Sequence, residues 1–535
     1  MTGNPAHKPP TDGARFVGRI VRLFPWRTIG WSVLAALFCA VTFHACWFWE
    51  RTTDQTSYFF AGVDVAHGNW RLHDWVLTPP DFWTSDVVLS ALLSLTARAV
   101  GHAEISPFLL ELQPALMWTA LVSSALALVC LRLPERRLCL GGSALVLALF
   151  GVPLLTTATA YFVTLSAIHL GTVLYNLWAP HHAARFLENG QRRHLMASGL
   201  LLWLGVIGDP LLQVSGTLPI LLGCAIGLRR SVSSSKRLIA LALITLVAGI
   251  LAPLTLALNK ATGGFVTLSL IPRFVAWNDV GATTSLVLRD ILLAFGADPS
   301  GLLLAGSLPQ LARLLLLSVC CVVLMQIFRK RQQETAPLSD PLILFLLLAA
   351  GANVVSMVVS DRLTTEGFSI ATVRYLFPFW ACFSVAASLV CARKPAAVSV
   401  AMVALVLTVV ADYGHIGHQA PRFLSGENMA LSDLLRREEP SIGISSWNMS
   451  GILEAETGGR LTVMPVGADP SGKLFLFTHI HKRTSLDTLK GQSFFVVVPR
   501  RPSELFDENS VLRTFGPAVS RQQFGRFLIL DYNGL

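Results

Sequence analysis

The chain has 535 residues, of which 53% are hydrophobic and only 14% charged, and its formal net charge is +10. Charged residues make up about a quarter of an ordinary globular chain, so this composition excludes a disordered chain, a coiled coil, a collagen and a disulfide scaffold. It indicates a membrane protein with several spans, large enough for a helical bundle and one modest soluble domain.

Runs of roughly 17–25 apolar residues are long enough to cross the hydrocarbon core of a bilayer as helices. The first run follows a basic stretch and lacks an A-x-A-like cleavage site, so it is predicted to be a retained span. Two runs share only residues 195–228, which fits either two short spans or a re-entrant hairpin; two spans are preferred. The sequence predicts eleven transmembrane helices, near 29–48, 112–131, 138–156, 160–178, 195–208, 211–228, 238–258, 310–328, 341–359, 373–392 and 395–411.

The nine cysteines lie in or beside these apolar runs and show no C-x-x-C spacing. They therefore predict neither a zinc site nor a redox pair. We expect them to pack as small apolar side chains within the helical bundle.

The distribution of basic residues predicts the orientation in the membrane. All six segments on the N-terminal side carry a net positive charge, namely 1–28, 132–137, 181–194, 229–237, 329–340 and 393–394. On the other side, residues 50–111 include three basic and eight acidic side chains. Lys and Arg accumulate in cytoplasmic loops, so the N-terminus is predicted inside and the C-terminus outside. Membrane topology thus explains the net charge, and no nucleic-acid partner is predicted.

The first outer loop, 49–111, is too long to be a simple connection. Val88, Leu92 and Leu95 share one face of a predicted amphipathic helix, and a shorter helix starts near Thr56. Amphipathic helices of this kind suit the membrane interface.

Two more outer regions are also more than simple loops. Residues 259–309 are predicted to contain short helices. After the last span, apolar strands alternate with helical segments, which predicts a small α/β domain. The predicted domains are a cytoplasmic tail at 1–28, a transmembrane domain at 29–411 and a soluble domain at 412–535.

Two aspartates at the predicted outer membrane surface are candidate functional groups. Asp54 follows the first span closely, where a carboxylate can act as a general base or hold a cation beside a lipid phosphate. Asp209 joins two spans with almost no loop, and ionisable groups at that depth are expensive and usually functional. The alternatives are a solvated loop acid for Asp54 and a helix N-cap for Asp209.

Three further charged or titratable residues lie in or beside predicted spans. Arg374 opens the tenth span, where a guanidinium can hold a phosphate through two hydrogen bonds or extend to the headgroups. His169 is placed inside the fourth span and interpreted as a hydrogen-bonded core histidine rather than a proton relay. Arg313 is expected to extend towards the headgroups.

Together these features resemble the GT-C superfamily of polytopic glycosyltransferases, in the branch with dolichyl-phosphate-mannose protein mannosyltransferases and bacterial aminoarabinose transferases. That superfamily carries an acidic motif just after the first span, where this chain has Thr53-Asp54-Gln55-Thr56-Ser57-Tyr58. Trp83-Thr84-Ser85-Asp86 opens the second interface helix, and Arg374-Tyr375 with Pro378 is similar to an arginine–tyrosine–proline pattern at a late span. Gln55 is a departure, because the family often has a second acid there.

The resemblance implies both a fold and a reaction. The fold is a GT-C-like polytopic α-helical membrane protein with about eleven transmembrane helices. The reaction is inverting transfer of a sugar from a polyprenyl-phosphate donor to a glycan, lipid or protein acceptor on the outer face, with a bacterial inner membrane preferred. Asp54 would be the catalytic base or orient the acceptor, and Arg374 would hold the donor phosphate. The implied substrate pocket also includes Gln55, Tyr58, Asp86, Asp209 and Tyr375.

No cofactor or metal site is predicted. With the single carboxylate of Asp54, a bound divalent cation is possible but unsupported.

A secondary transporter is one alternative function, although such proteins favour inverted repeats and no matching halves are found. The other is a catalytically inactive relative that acts as an envelope scaffold, which Gln55 would permit.

Overall fold

The computed structural model of the protein describes residues 26–47, 51–155, 169–230, 234–268, 273–298, 308–329, 340–363, 370–413, 426–437, 441–500 and 506–534. The helices up to residue 413 are α1 (Trp26–Cys46), α2 (Thr53–Ala66), α3 (Asp86–Ala99), α4 (Pro107–Arg132), α5 (Arg136–Val146), α6 (Leu170–Asn189), α7 (Arg192–Gly208), α8 (Leu218–Arg230), α9 (Ser235–Ala261), α10 (Val280–Ala294), α11 (Leu308–Arg329), α12 (Pro341–Val359), α13 (Phe377–Cys391) and α14 (Pro395–Ala411). Helix α5 continues into a π-helical turn at Leu147–Gly151, a second π turn at Gln213–Thr217 precedes α8, and a 3₁₀ turn at Ile370–Leu376 leads into α13.

Six helices in the described ranges are long and apolar enough to cross a membrane: α1, α4, α9, α11, α12 and the stretch Thr372–Cys391 that contains α13. Helix α14 is also apolar but shorter. The predicted polytopic helical fold is therefore confirmed. The short pair at 195–228 forms two helices, α7 and α8, and α7 extends about 26 Å at 1.5 Å per residue.

The fourth predicted span, 160–178, ends too early. Residues 156–168 lie outside the described part, and α6 starts only at Leu170 and continues to Asn189. It extends past its apolar part because Arg132, at the end of α4, pairs with Glu188 in its last turn. The inner segment predicted at 181–194 is consequently mostly helical.

The core of the bundle is aromatic and contains one buried guanidinium. The rings of Phe150 and Trp380 lie 4.7 Å apart, and Trp380 Nε1 donates to Leu149 O at 2.8 Å. Arg313 is 2% exposed, and its Nε donates to Thr408 Oγ1 at 3.1 Å. The expectation that Arg313 extends to the headgroups is wrong, since its guanidinium instead crosslinks several helices from inside.

Cys130 and Cys139 form a disulfide that joins α4 to α5. The expectation that all cysteines merely pack as small side chains is wrong for this pair. The spacing rule misses it because a helical hairpin, and not a C-x-x-C turn, brings the two residues together.

Helices α2 and α3 of the first outer loop pack closely together. At their contact a Cβ added to Gly62 would lie 2.3 Å from Ser90 Cβ. The opposite face of α3 exposes Val88, Leu92 and Leu95, as the sequence pattern predicted. An exposed apolar face on such a helix suits a membrane interface.

The C-terminal residues form an α/β domain, which confirms that part of the predicted fold. The outer loops contribute strands β1 (Trp75–Leu77) and β2 (Val266–Thr267), and the domain contributes β3 (Ile442–Ser446), β4 (Thr462–Ala468), β5 (Leu474–Leu476), β6 (His481–Lys482), β7 (Ser493–Pro499), β8 (Ser520–Phe524) and β9 (Phe527–Asn533). Its helices are α15 (Gly426–Arg437), α16 (Trp447–Glu456) and α17 (Glu508–Phe515). The main sheet has the order β5-β4-β3-β7-β9-β8, and β3 is parallel to both of its neighbours, β4 and β7. Apolar clusters cover both faces of this sheet.

A second, three-stranded sheet fixes the C-terminal domain to both outer loops. Strand β1 pairs with β2 on one side and with β6 on the other. Lys482 in β6 also pairs with Asp64 of α2 at 3.2 Å, and Thr53 Oγ1 at the start of α2 donates to Trp447 O at 2.8 Å. The domain is therefore held directly against the helix that carries Asp54.

Candidate functional site

A polar cavity of about 220 Å³ opens where the outer loops, the bundle and the C-terminal domain meet. Its walls come from five separate parts of the chain. The lining residues are Asp54, Tyr58, Thr78, Pro79, Pro80, Phe82, His169, Leu268, Arg362, Arg374, Tyr375, His479 and Ile480. Sequence reasoning selected Asp54, Tyr58, Arg374 and Tyr375 from this set.

Asp54 lies in the first turn of α2, a helix that is capped by Thr52, whose hydroxyl accepts a hydrogen bond from Gln55 N. A carboxylate in the first turn is favoured by the positive end of the helix dipole. Burial nevertheless raises the pKa of Asp54, and Arg374 and His479 act in the opposite direction. The carboxyl group therefore combines a raised affinity for protons with a nearby guanidinium and imidazole, which is the setting of a general base.

Arg374 and Tyr375 lie in the 3₁₀ turn that leads into α13. The guanidinium carbon of Arg374 stands 4.9 Å from the centre of the Tyr375 ring, and Nη2 donates to Tyr375 Oη at 2.9 Å. Asn353 of α12 donates to Tyr375 O and accepts from Phe379 N, both at 3.0 Å. These contacts fix the backbone of the turn beside Pro378, which has no N–H to donate. The guanidinium of Arg374 therefore faces the cavity in a fixed position.

Tyr58 is the second cavity residue of α2. Its hydroxyl is 2.7 Å from Thr78 Oγ1 and donates to Pro80 O at 2.8 Å. Burial raises the pKa of Tyr58, so the phenol stays neutral. The side chain fixes the loop after β1 against α2, one turn away from Asp54.

Asp209 does not line the cavity but supports a residue that does. Its Oδ2 lies 2.5 Å from His169 Nδ1 and accepts from Thr172 Oγ1, while its Oδ1 accepts from Leu211 N at 2.9 Å. Asp209 thus caps the following helix and also holds the imidazole of His169. His169 precedes α6 instead of lying inside a span, so its predicted position within the fourth span is wrong.

Gln55 and Asp86 lie behind the cavity wall. Gln55 Nε2 donates to Leu110 O at 2.8 Å, since consecutive residues of a helix project about 100° apart and Gln55 turns away from Asp54. Asp86 is fully buried, and its Oδ2 accepts from Ser85 Oγ at 3.0 Å. Neither side chain belongs to the lining, so their predicted contact with substrate has no geometric support.

Two further cavity residues have no signal in the sequence. Arg362, which follows α12, adds a second guanidinium to the wall that contains Arg374. His479 comes from the C-terminal domain, where Trp447 Nε1 donates to its carbonyl oxygen at 2.7 Å. Burial lowers the pKa of His479, with Asp54 acting in the opposite direction, so its imidazole is mostly neutral at pH 7. Only the pairing of β6 with β1 brings it near Asp54, and no local pattern signals this.

In the described ranges, no three His, Cys, Asp or Glu side chains gather closely enough to hold a metal ion. The polar groups of the cavity instead comprise two guanidiniums, one carboxyl group, two imidazoles and two phenols. Guanidiniums suit a phosphate, and the carboxyl group suits a proton donor such as a hydroxyl group.

The candidate spans, helices α2 and α3 and the C-terminal α/β domain have the architecture of a polytopic helical membrane protein with a GT-C-like fold. The chain is similar to the crystal structure of ArnT from Cupriavidus metallidurans bound to undecaprenyl phosphate, with a TM-score of 0.51. The similarity covers 94% of this chain and 98% of that chain at 12% sequence identity. No protein-family model matches the chain, and no curated protein matches its sequence. The likeness is therefore one of fold.

Proposed function

We propose that the chain is a membrane glycosyltransferase that takes a sugar from a polyprenyl-phosphate donor and transfers it to an envelope acceptor on the outer face of the membrane. The observation that carries the proposal is that Asp54 and Arg374, from opposite ends of the transmembrane domain, line one polar cavity. The crystal structure with the similar fold contains undecaprenyl phosphate, which supports a polyprenyl-phosphate partner.

The cations would bind the donor phosphate. Arg374 and Arg362 line the same cavity, and a guanidinium offers two parallel N–H donors to a phosphate. The stacking of Arg374 on Tyr375 fixes the direction of those donors before the substrate arrives. Such preorganised charge stabilises the negative charge that grows on the phosphate as the sugar leaves.

Asp54 would act on the acceptor. Its carboxylate removes the proton from an acceptor hydroxyl as that oxygen attacks the anomeric carbon from the side opposite the phosphate. Burial raises its pKa, which makes it a stronger base than a solvated aspartate. The phosphate is already a good leaving group, so positioning and charge stabilisation supply much of the remaining rate.

The presence of Gln55, where the family often has a second acid, does not favour the alternative of an inactive scaffold. The lack of a second acid at this position would matter if that side chain faced the substrate, but its amide is bonded to Leu110 O on the far side of α2. The catalytic role of Asp54 is therefore proposed without a neighbouring carboxylate.

The test is a transfer assay with membranes that contain the full chain and a panel of radiolabelled undecaprenyl-phosphate sugars. Wild type is expected to move label from the lipid phosphate to an acceptor, and Asp54→Asn to lose at least about 100-fold of that rate, the usual worth of a general base. Asp433→Asn in α15, whose side chain is 53% exposed, is the matched control and should retain activity. Equal rates in wild type and Asp54→Asn would refute the proposed role, and solute uptake without transfer would favour a transporter.

A further inference from the structure

His169 and Asp209 form a buried pair beside the cavity that the proposed function leaves unused. His169 is 4% exposed and Asp209 is 1% exposed, yet the imidazole lines the cavity while the carboxyl group lies behind it. The distance from Nδ1 to Oδ2 is 2.5 Å. With Nδ1–H donated to the carboxylate, Nε2 is the ring nitrogen left for a substrate.

The backbone of His169 is held in an unusual conformation. Its φ of +64° lies in the left-handed region, which residues other than glycine seldom adopt. Such conformations are strained and persist where the surroundings fix them, commonly at functional sites. Here Thr172, in the first turn of α6, donates to the same Asp209 oxygen at 2.5 Å, and Phe82 packs its ring 5.7 Å from the imidazole. Asp209 and Phe82 therefore hold the ring directly, and Thr172 holds the Asp209 oxygen.

The imidazole lies on the side of the cavity that carries the cations. The ring centres of His169 and Tyr375 are 5.7 Å apart, and Tyr375 in turn lies beneath the guanidinium of Arg374. A phosphate bound by Arg374 would therefore lie near His169, while the proposed function assigns the acceptor to Asp54.

We infer that His169 is the general acid of the transfer reaction, giving its Nε2 proton to the leaving phosphate, and that Asp209 is its positioning residue. The inference rests on the proposed function. An imidazolium and a phosphate monoester lose protons in the same pH range, which is the condition for efficient proton transfer between them.

The step balances as follows. The bond between the anomeric carbon and the donor phosphate oxygen breaks, and its electron pair stays on that oxygen. The acceptor oxygen forms the new bond to the anomeric carbon, and its proton passes to Asp54. His169 Nε2 gives one proton to the departing phosphate, so the lipid leaves as a monoanion. Solvent then returns a proton to His169 and removes one from Asp54.

Asp209 holds the Nδ1 side of the imidazole, which leaves Nε2 directed away from this carboxyl group. Asp81 is a second buried carboxyl group near Asp209, and burial raises the pKa of Asp81 to about 8, so it is mostly protonated at neutral pH. The other titratable and charged groups around His169 are Asp54, Tyr58, Arg362, Arg374, Tyr375 and His479.

The left-handed backbone conformation of His169 is compatible with two replacements in the full chain. His169→Gly suits a φ of +64° and leaves a space for added imidazole. His169→Asn also tolerates this conformation and can still donate to Asp209, but it cannot transfer a proton. Both variants should keep the melting temperature near that of wild type.

We expect kcat of both variants to fall roughly 100-fold or more, with a smaller change in KM for the donor. Added imidazole should restore turnover to His169→Gly in proportion to its protonated fraction, and not to His169→Asn. Asp209→Asn should lower kcat and shift the alkaline limb of the kcat profile to lower pH. Full turnover in His169→Asn, or no response of His169→Gly to imidazole, would overturn the inference.

Two measurements on wild type separate this inference from the proposed function. The kcat profile must fall at high pH as the imidazolium loses its proton, and a flat alkaline limb would overturn the inference even if no variant folded. Binding of undecaprenyl phosphate, followed without turnover, tests the proposed function. If wild type binds the lipid and transfers sugar, and His169→Asn does so equally well, only the role of His169 is refuted. Wild type that neither binds the lipid nor transfers sugar would remove both.

Discussion

Asp54, in the first turn of α2, and Arg374, in the turn that opens α13, lie on the walls of one cavity although they come from opposite ends of the transmembrane domain. Burial raises the pKa of the Asp54 carboxyl group, and the Arg374 guanidinium acts to lower it. The proposed function uses Asp54 as the base and Arg374 as the cation that binds the phosphate. Five predictions about activity, binding and stability depend on this arrangement and on the packing that holds it.

The activity should fall on the acid side at a higher pH than an ordinary aspartate would give. Burial raises the pKa of Asp54 above 3.8, and the base must be ionised to accept a proton. The rate is therefore lost as pH falls through that raised pKa. The kcat/KM profile of wild type measures the limb, and a profile that stays flat down to pH 4 would contradict the assignment.

The same pKa shift predicts an effect on stability that serves as its control. Because folding raises the pKa, the folded chain binds the proton more tightly than the unfolded chain does. The contribution of Asp54 to stability is present at low pH and is lost as pH rises through the folded pKa. Asp54→Asn should therefore melt at or above the wild-type temperature at pH 8, even though it is inactive.

Replacing Arg374 should weaken binding of the donor lipid. A hydrogen bond to a charged group contributes about 1.5–3 kcal/mol, so Arg374→Ala should bind undecaprenyl phosphate roughly 10- to 100-fold more weakly. Arg374→Lys keeps the charge but loses the planar fork and the stacking on Tyr375, and should fall in between. Titration of the detergent-solubilised chain measures this, with Arg521→Ala on the domain surface as the control. Wild-type affinity in Arg374→Ala would contradict the phosphate-binding role.

A buried ion network should set the stability of the contact between the domain and the bundle. Arg51 Nε lies 2.8 Å from Glu111 Oε1, and its Nη1 pairs with Glu456 of α16. Arg51→Met leaves two buried carboxylates without their cation and should cost about 3–5 kcal/mol. Arg521→Met breaks an exposed pair with Glu508 and should cost less than about 1 kcal/mol. Melting temperatures of the two variants provide the comparison, and equal values would show that the network carries no stability.

The close contact of α2 with α3 should be intolerant of even one methyl group. In Gly62→Ala the new Cβ would meet Ser90 Cβ at 2.3 Å, which forces the helices apart. Overpacking of this kind costs about 1–3 kcal/mol and would also displace Asp54. Gly351→Ala in α12 places its Cβ in open space and should stabilise that helix by up to about 1 kcal/mol. Activity and melting temperature of Gly62→Ala equal to those of Gly351→Ala would contradict the contact.

Much of the fold could be predicted from the sequence because its signals are local. Apolar runs indicated the spans, and the spacing of Val88, Leu92 and Leu95 indicated the amphipathic helix. Alternating strands and helices indicated the C-terminal domain. The end of α6 was misplaced because the apolar run stops before the helix does. Arg313 was misjudged because burial of its guanidinium depends on carbonyl oxygens from other helices.

The site was less predictable, since it is assembled from distant segments. Asp54, Tyr58, Arg374 and Tyr375 could be named from their place in the topology and from the resemblance. His479 could not, because it reaches the cavity only through the pairing of β6 with β1. His169 had an indirect signal in Asp209, because a carboxyl group predicted at the membrane surface is expected to have a partner. The catalytic and binding roles of all these residues stay predictions.

The most direct test of the account is an experimental structure of the full chain with undecaprenyl phosphate added. The account predicts density for the phosphate within hydrogen-bonding distance of the Arg374 guanidinium, on the cavity wall that faces Asp54. Density for the phosphate at another site, or at the opposite face of the membrane, would contradict it.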